Sequence, residues 1–271
     1  MCIAAFVWQS HPRYPLLLLQ NRDEYRNRGT YPLQWWEDNP AILGGRDAVA
    51  QGTWLACTNV GKLAFLTNVR ELPRLEKYLS RGDLPVRFLS GKRSPMEFAE
   101  EIVEEADQYN GFNLILADLH SKTMVYVTNR PKEEKKFITE VSTGIHVLTN
   151  DAMLDSPWPK SQRLGNSFKE MLNKYGDDEI SLKEMALELM SNTIRDDKSL
   201  LPRIYSPEVE YELSSIYIEN APQLGDYGTR STDAVSVNTS GEVTFYERYM
   251  AANEWHERTE SFRIKEETKM K

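Results

Sequence analysis

The sequence predicts an α+β fold, with antiparallel sheets and helices packed on them in layers. Three observations predict it. Strand-length apolar runs come in pairs joined by short polar turns. Three other segments carry apolar residues at helical spacing. The chain order is many strands, one helix, strands, two helices, then strands again.

Ile3 to Trp8 and Leu16 to Gln20 are apolar runs around His11-Pro12-Arg13-Tyr14-Pro15, a turn marked by two prolines, and they predict a buried hairpin. Asn21 to Arg28 reads as a polar stretch at the strand end. Thr53 to Thr58 and Lys62 to Thr67 flank Asn59-Val60-Gly61, a second hairpin. Phe112 to Leu119 and Met124 to Thr128 form a third around His120-Ser121-Lys122.

The first helix has Phe98, Ile102, Val103 and Ala106 on one side, behind a Ser94 cap and a first-turn Pro95. The second carries Leu164, Phe168, Met171, Leu172 and Tyr175 and stops at Gly176. The third carries Leu182, Met185, Ala186, Leu189 and Met190, with Ser181 and Glu184 as a capping box. Asp196 to Glu210 reads as a loop, a lid or a linker. Strands return at Ser215 to Glu219, Ala234 to Asn238, Val243 to Arg248 and Trp255 to Ile264, the middle two joined by Thr239-Ser240-Gly241. The expected organisation is a single domain over residues 1–264 with a frayed charged tail, 265–271.

Thirty-three basic residues stand against 41 acidic ones, a net charge of −8, which argues against a nucleic-acid partner. No apolar run approaches the roughly 18–20 residues of a membrane span, so no transmembrane segment is expected. The start lacks the order of a secretory signal, which makes the cytoplasm the default location. Gly44-Gly45-Arg46-Asp47 reads as a glycine turn without phosphate-loop spacing, and no metal is expected. Two cysteines cannot build a disulfide framework or a cysteine-based zinc site.

Cys57 lies among apolar strand residues and reads as a small buried hydrophobe. Cys2 is different in kind. Removal of the initiator Met before a small residue would leave a thiol and a free α-amine on one carbon. With reference pKa values of about 7.7–8.0 for the amine and about 8.5 for the thiol, the amine can take the thiol's proton. Such a nucleophile needs donors for an oxyanion and charged groups for the thiol and amine. Polar clusters at strand ends offer them: Asn21-Arg22-Asp23-Glu24, Thr67-Asn68, Thr149-Asn150 and Thr229-Arg230-Ser231-Thr232.

Met1-Cys2-Ile3, Asn21-Arg22-Asp23-Glu24, Gly52-Thr53-Trp54-Leu55, Leu66-Thr67-Asn68, Tyr109-Asn110-Gly111-Phe112-Asn113-Leu114, Leu148-Thr149-Asn150 with Pro157-Trp158, and Tyr227-Gly228-Thr229-Arg230 occur in one order. In these blocks, from residue 2 to about 264, the chain resembles the NRDE family, the transport and Golgi organisation protein 2 homologues. That family in turn resembles N-terminal nucleophile (Ntn) hydrolases that cleave linear amides, such as choloylglycine hydrolase and penicillin V acylase.

The resemblance implies a four-layer αββα sandwich. It implies Cys2 as nucleophile, Asp23 as the carboxylate near the amine, Asn68 and Asn150 as oxyanion or substrate contacts, and Arg230 as an active-site arginine. Asn21, Arg22, Trp54 and His11 are candidate ligand contacts. The hydrolases separate their Arg and Asp, whereas Arg22 and Asp23 are adjacent. On a strand, neighbours face opposite sides, so both reach one pocket only if the strand has ended, and Asn21 would share a side with Asp23 instead.

The resemblance further implies haem trafficking, secretory-pathway and Golgi organisation, and acyl-CoA metabolism. Partners would be a small-molecule ligand or haem and secretory-pathway proteins, with a Golgi or mitochondrial association. No cofactor is required, and haem enters as a transported ligand. The alternatives are an amidase or thioesterase using Cys2, and a trafficking scaffold without chemistry. For the last, Trp35-Trp36 reads either as an exposed anchor or as packing on a sheet edge.

Overall fold

The computed structural model describes residues 2–72, 78–132 and 137–266. Strand β1 (Ile3–Trp8) is buried along its whole length. Its alternate residues enter two different cores. Ala4, Phe6 and Trp8 join Phe65, Ile115 and Phe245 between two sheets. Ile3, Ala5 and Val7 join Leu164, Phe168 and Met185 of two helices. In β2 (Leu16–Tyr25), Leu16 and Leu18 follow the first set and Leu17 and Leu19 the second. A sheet covered on both faces accounts for runs that are apolar at every position.

The remaining strands are β3 (Thr30–Trp35), β4 (Ile42–Asp47), β5 (Leu55–Thr58), β6 (Lys62–Asn68), β7 (Phe112–Asp118), β8 (Thr123–Thr128), β9 (Ile138–Glu140), β10 (Gly144–Leu148), β11 (Tyr227–Val237), β12 (Glu242–Ala251) and β13 (Glu254–Arg263). The helices are α1 (Asp83–Ser90), α2 (Pro95–Glu104), α3 (Pro159–Tyr175), α4 (Leu182–Met190) and α5 (Pro207–Glu212). One six-stranded sheet has the order β10-β1-β2-β11-β12-β13, and one seven-stranded sheet has the order β3-β4-β5-β6-β7-β8-β9. All strand pairings are antiparallel. Helices α3 and α4 cover the six-stranded sheet, and α1 and α2 cover the other through Leu84, Phe88, Phe98 and Ile102. The layers are therefore helix, sheet, sheet, helix, the αββα order.

Several elements differ from the sequence reading. The polar stretch after Gln20 continues β2 to Tyr25, because β11 pairs with it from Leu16 to Tyr25 and ladder bonds outweigh polar composition. Residues 30–47 form β3 and β4, and Pro32 sits at a register shift between Tyr31 and Gln34. Gly44-Gly45-Arg46-Asp47 is thus strand and not turn. Helix α1 escapes the pattern because it is one short stripe with Pro85 in its first turn. Ser215 to Glu219 alternates but joins no ladder; Tyr217 N–H donates to Asn192 O and Ile218 N–H to Thr229 Oγ1, a connection that buries Ile216 and Ile218.

Asp196 to Glu210 is anchored at both ends, by Arg163 on Asp196 and by Arg70 on Glu210. Trp36 is buried beneath Arg46, and Trp35 packs edge-on against Phe262. Both tryptophans pack on the sheet. Of the expected tail, Lys265 donates its N–H to Asn59 O, and residues 267–271 lie outside the described residues.

Candidate active site

Cys2 stands just before β1, which lies between β10 and β2 in the six-stranded sheet. Ile3 is opposite Asn21 on β2 and Ala4 opposite Leu148 on β10. Carried on in antiparallel register, these pairings set Cys2 between Arg22 and Asn150. By strand alternation Cys2 shares the face of Ala4, towards the gap between the sheets. Because β1 starts here, β2 beyond Arg22 has no neighbour on that flank. The space is a cavity of about 330 Å³, with Cys2, Arg22, Asp23, Asn68 and Trp54 among its walls.

Arg22 and Asp23 both line this cavity although β2 does not end between them. The β1 pairing ends at Ile3 and Asn21, which leaves this stretch of β2 uncovered on that flank. On the other flank β11 carries a bulge, with Thr229 facing Asp23, Ser231 facing Arg22 and Arg230 as the extra residue. Arg22 points between the sheets. Its guanidinium stacks 4.2 Å from the centre of the Trp54 ring, donates to Thr30 Oγ1 and lies 3.6 Å from Asp47. Trp54 in turn donates its indole N–H to Asp233 Oδ2 at 3.0 Å. Gly45 makes room for that ring, since a Cβ there would come within 2.4 Å of it. Asp23 accepts from Thr229 Oγ1 at 2.7 Å.

Burial pushes the Cys2 thiol up, and Asp23 adds to this. The positive chain terminus, a backbone hydrogen bond from Asp23 and the Arg22 charge oppose it. Burial also raises the Asp23 carboxyl, against the chain terminus, the Thr229 hydrogen bond and Lys160. Lys160, near the start of α3, is buried, donates to Leu213 O, and is pushed down to about 7 by burial first and by Arg70 second.

The other expected residues take different places. Asn150 Nδ2 donates to Asn68 O at 2.9 Å, and Arg70 N–H donates to Asn150 O, so Asn150 ties the end of β10 to the end of β6. Its Oδ1 is buried without a partner among the described residues, and it is not part of the cavity wall. Asn21 faces the helices, where its Nδ2 donates to Met190 O and Ile216 O. Arg230 Nη1 donates to Tyr25 O and Arg28 O, closing the turn after β2 outside the cavity. His11 lies in the β1–β2 turn, at the far end of β1 from Cys2, where its Nδ1 accepts from Arg13 and Tyr14 N–H. The structure thus brings Cys2, Asp23, Asn68, Arg22 and Trp54 together and leaves Asn21, Asn150, Arg230 and His11 outside the cavity.

Sequence reasoning did not single out Arg28, Asp47 or Arg81, which also line the cavity. Arg28 makes a two-pronged contact with Asp47 at 2.5 and 3.0 Å. Asp47 was hidden in the glycine pair read as a turn, and Arg81 reaches the wall because Gly52 and Gly82 let two backbones touch, with Thr53 N–H donating to Gly82 O. Among the described residues no cluster of His, Cys, Asp and Glu is placed to hold a metal, and no helix is long and apolar enough to cross a membrane.

Residues 1–252 match the Transport and Golgi organisation 2 family. The chain is 32% identical to the Bos taurus Transport and Golgi organization protein 2 homolog, covering 97% of this chain and 99% of that one. It is 29% identical to the Homo sapiens homolog, with 97% and 99% covered. The fold is similar to the mutant C2A conjugated bile acid hydrolase from Clostridium perfringens, with a TM-score of 0.51, 9% identity, and 98% and 97% of the two chains covered. The R18L variant of that hydrolase gives a TM-score of 0.50 at 8% identity, over the same shares of the two chains.

Proposed function

The chain belongs to the Transport and Golgi organisation 2 family and has an Ntn-hydrolase-like fold, and from that premise we propose that it is a cysteine hydrolase of amide or thioester bonds. One observation carries the reading: Cys2, the cysteine that processing can make N-terminal, lies at a cavity wall that it shares with Asp23, Arg22 and Asn68. With Met1 removed, the neutral α-amine of Cys2 takes the thiol proton and the thiolate attacks the acyl carbon. The C–N or C–S bond breaks, the ammonium returns the proton to the leaving amine or thiol, and water cleaves the Cys2 thioester. Asp23 holds the amine, and Asn68 supplies an oxyanion donor.

Intact-mass analysis of the purified chain tests the premise: a chain that keeps Met1 has no amine base, and the mechanism fails. With Met1 absent, incubation with acyl thioesters and N-acyl amides is expected to leave a hydroxylamine-labile acyl adduct on Cys2 and none on Cys57.

The second reading is a haem carrier, favoured by a thiol beside arginines (Arg22, Arg28 and Arg81) that suit carboxylate groups. Haemin titration of the wild type and Cys2→Ala tests it; an unchanged Soret band in the variant removes Cys2 from haem contact. We further propose a cytoplasmic location and a role in secretory-pathway and Golgi organisation, supported by the family match alone.

A further inference from the structure

Behind the Trp54 wall lies a feature that the acyl-transfer reading does not use. Asp233 on β11 and Glu247 on β12 are directly opposite in register, and both side chains are sealed between the sheets. Asp233 Oδ2 accepts from the Trp54 indole and, at 3.1 Å, from Ser231 Oγ. Glu247 Oε2 accepts from Leu33 N–H at 2.6 Å. Each carboxyl has one oxygen left over: Asp233 Oδ1 and Glu247 Oε1 are both buried and without a partner among the described residues. One proton shared by two facing carboxyls would turn one of the leftover oxygens into a donor. Buried like charges on cross-strand neighbours otherwise repel.

We propose that Asp233 and Glu247 hold one proton between them and that this pair positions Trp54, and through it Arg22, at the cavity. The pair is independent of whether Cys2 performs catalysis. Its role is positioning: Asp233 fixes the indole by its N–H, and the ring carries the Arg22 guanidinium at 4.2 Å. The charged groups facing the pair are Arg22 from β2 and Arg258 from β13; β3 contributes the Leu33 N–H, and β4 contributes Gly45, where a Cβ would lie 3.3 Å from Glu247 Oε1. Burial raises the Asp233 carboxyl to about 6, and burial together with Asp233 raises Glu247 well above its usual range.

The sign follows from proton counting. Unfolded carboxyls titrate near 4, so between about pH 4 and the folded values the native state binds the extra proton. Stability then falls as pH rises.

The test uses the full-length ¹⁵N-labelled protein without ligand, with the Trp54 indole N–H resonance assigned by its loss in Trp54→Phe. In the wild type this resonance is expected to shift with pH as the pair titrates, and the urea midpoint is expected to fall over the same range. Glu247→Gln supplies a permanent donor in place of the shared proton. It is expected to abolish the indole shift and flatten the urea profile. Asp233→Asn is the second variant if Glu247→Gln does not fold, with the same expected flattening. A pH-independent indole in the wild type, or a titration that persists unchanged in either variant, overturns the proposal. Because none of these readings involves Cys2, they fail or succeed separately from the hydrolase reading.

Discussion

Cys2 and Cys57 are both buried thiols, 7% and 3% exposed, at interior strands of different sheets. Their settings differ in one respect, the charge around them. Burial alone acts on Cys57 and pushes it to about 12, so it stays a thiol and packs as an apolar group. At Cys2 the same burial is opposed by the chain terminus and Arg22. The comparison teaches that depth does not separate the proposed nucleophile from the packed thiol in this fold. The distinction lies in the termination of β1, which opens a polar cavity beside one thiol while the other is enclosed by complete strands.

The comparison breaks most sharply under Cys2→Ala, which is expected to remove acyl transfer by ~10³-fold or more, as measured by release of the leaving amine or thiol, with little change in stability. If a Cys57→Ala variant lost activity equally, the distinction between the thiols would collapse. The polar end of the molecule also has its own structural requirement. Arg70 and Glu210 form a buried ion pair, and Glu210 Oε1 also accepts the Tyr205 N–H at 2.9 Å. Glu210→Ala removes this carboxylate from the buried Arg70 guanidinium and should cost about 3–5 kcal/mol in urea unfolding.

Asn68→Ala spares the backbone carbonyl that Asn150 binds. It should therefore keep the fold and reduce turnover by ~10²–10³-fold, seen in kcat rather than in the urea midpoint. Cys57→Ala is the smallest effect, about 1–2 kcal/mol for a methyl-sized void, with turnover unchanged.

The layered architecture was legible because burial on both faces leaves uniformly apolar strands, as in Ile3–Trp8 and Leu16–Leu19, and because one-sided helices leave a stripe, as in α3 and α4. Caps were equally legible: Ser94 and Glu97 form the reciprocal box at α2, and Ser181 accepts from Glu184 N–H at α4. Elements whose only support is a partner strand were not legible. The Asn21–Tyr25 half of β2 is polar in sequence and is a strand because β11 lies beside it. The same physics limited the site. Resemblance and position drew attention to Cys2, Asp23 and Asn68, but Asn21 and Arg230 are equally polar and equally close to strand ends, and they turn to the helix layer and to the β2 turn.

The sequence by itself determined what depends on local period and composition: the strand and helix stripes, the caps, the absence of cysteines for disulfides, and a thiol at a position where processing can free its amine. The tertiary structure decided what depends on register. A one-residue bulge at Arg230 sets Thr229 against Asp23 and Ser231 against Arg22, and the start of β1 leaves both β2 residues uncovered at the cavity. The facing of β11 and β12 puts two carboxyls together, at Asp233 and Glu247, that lie 14 positions apart in the chain. Side-chain direction along a strand has a period of two, so a single extra residue in a distant partner reverses which groups meet, and no local pattern carries that information.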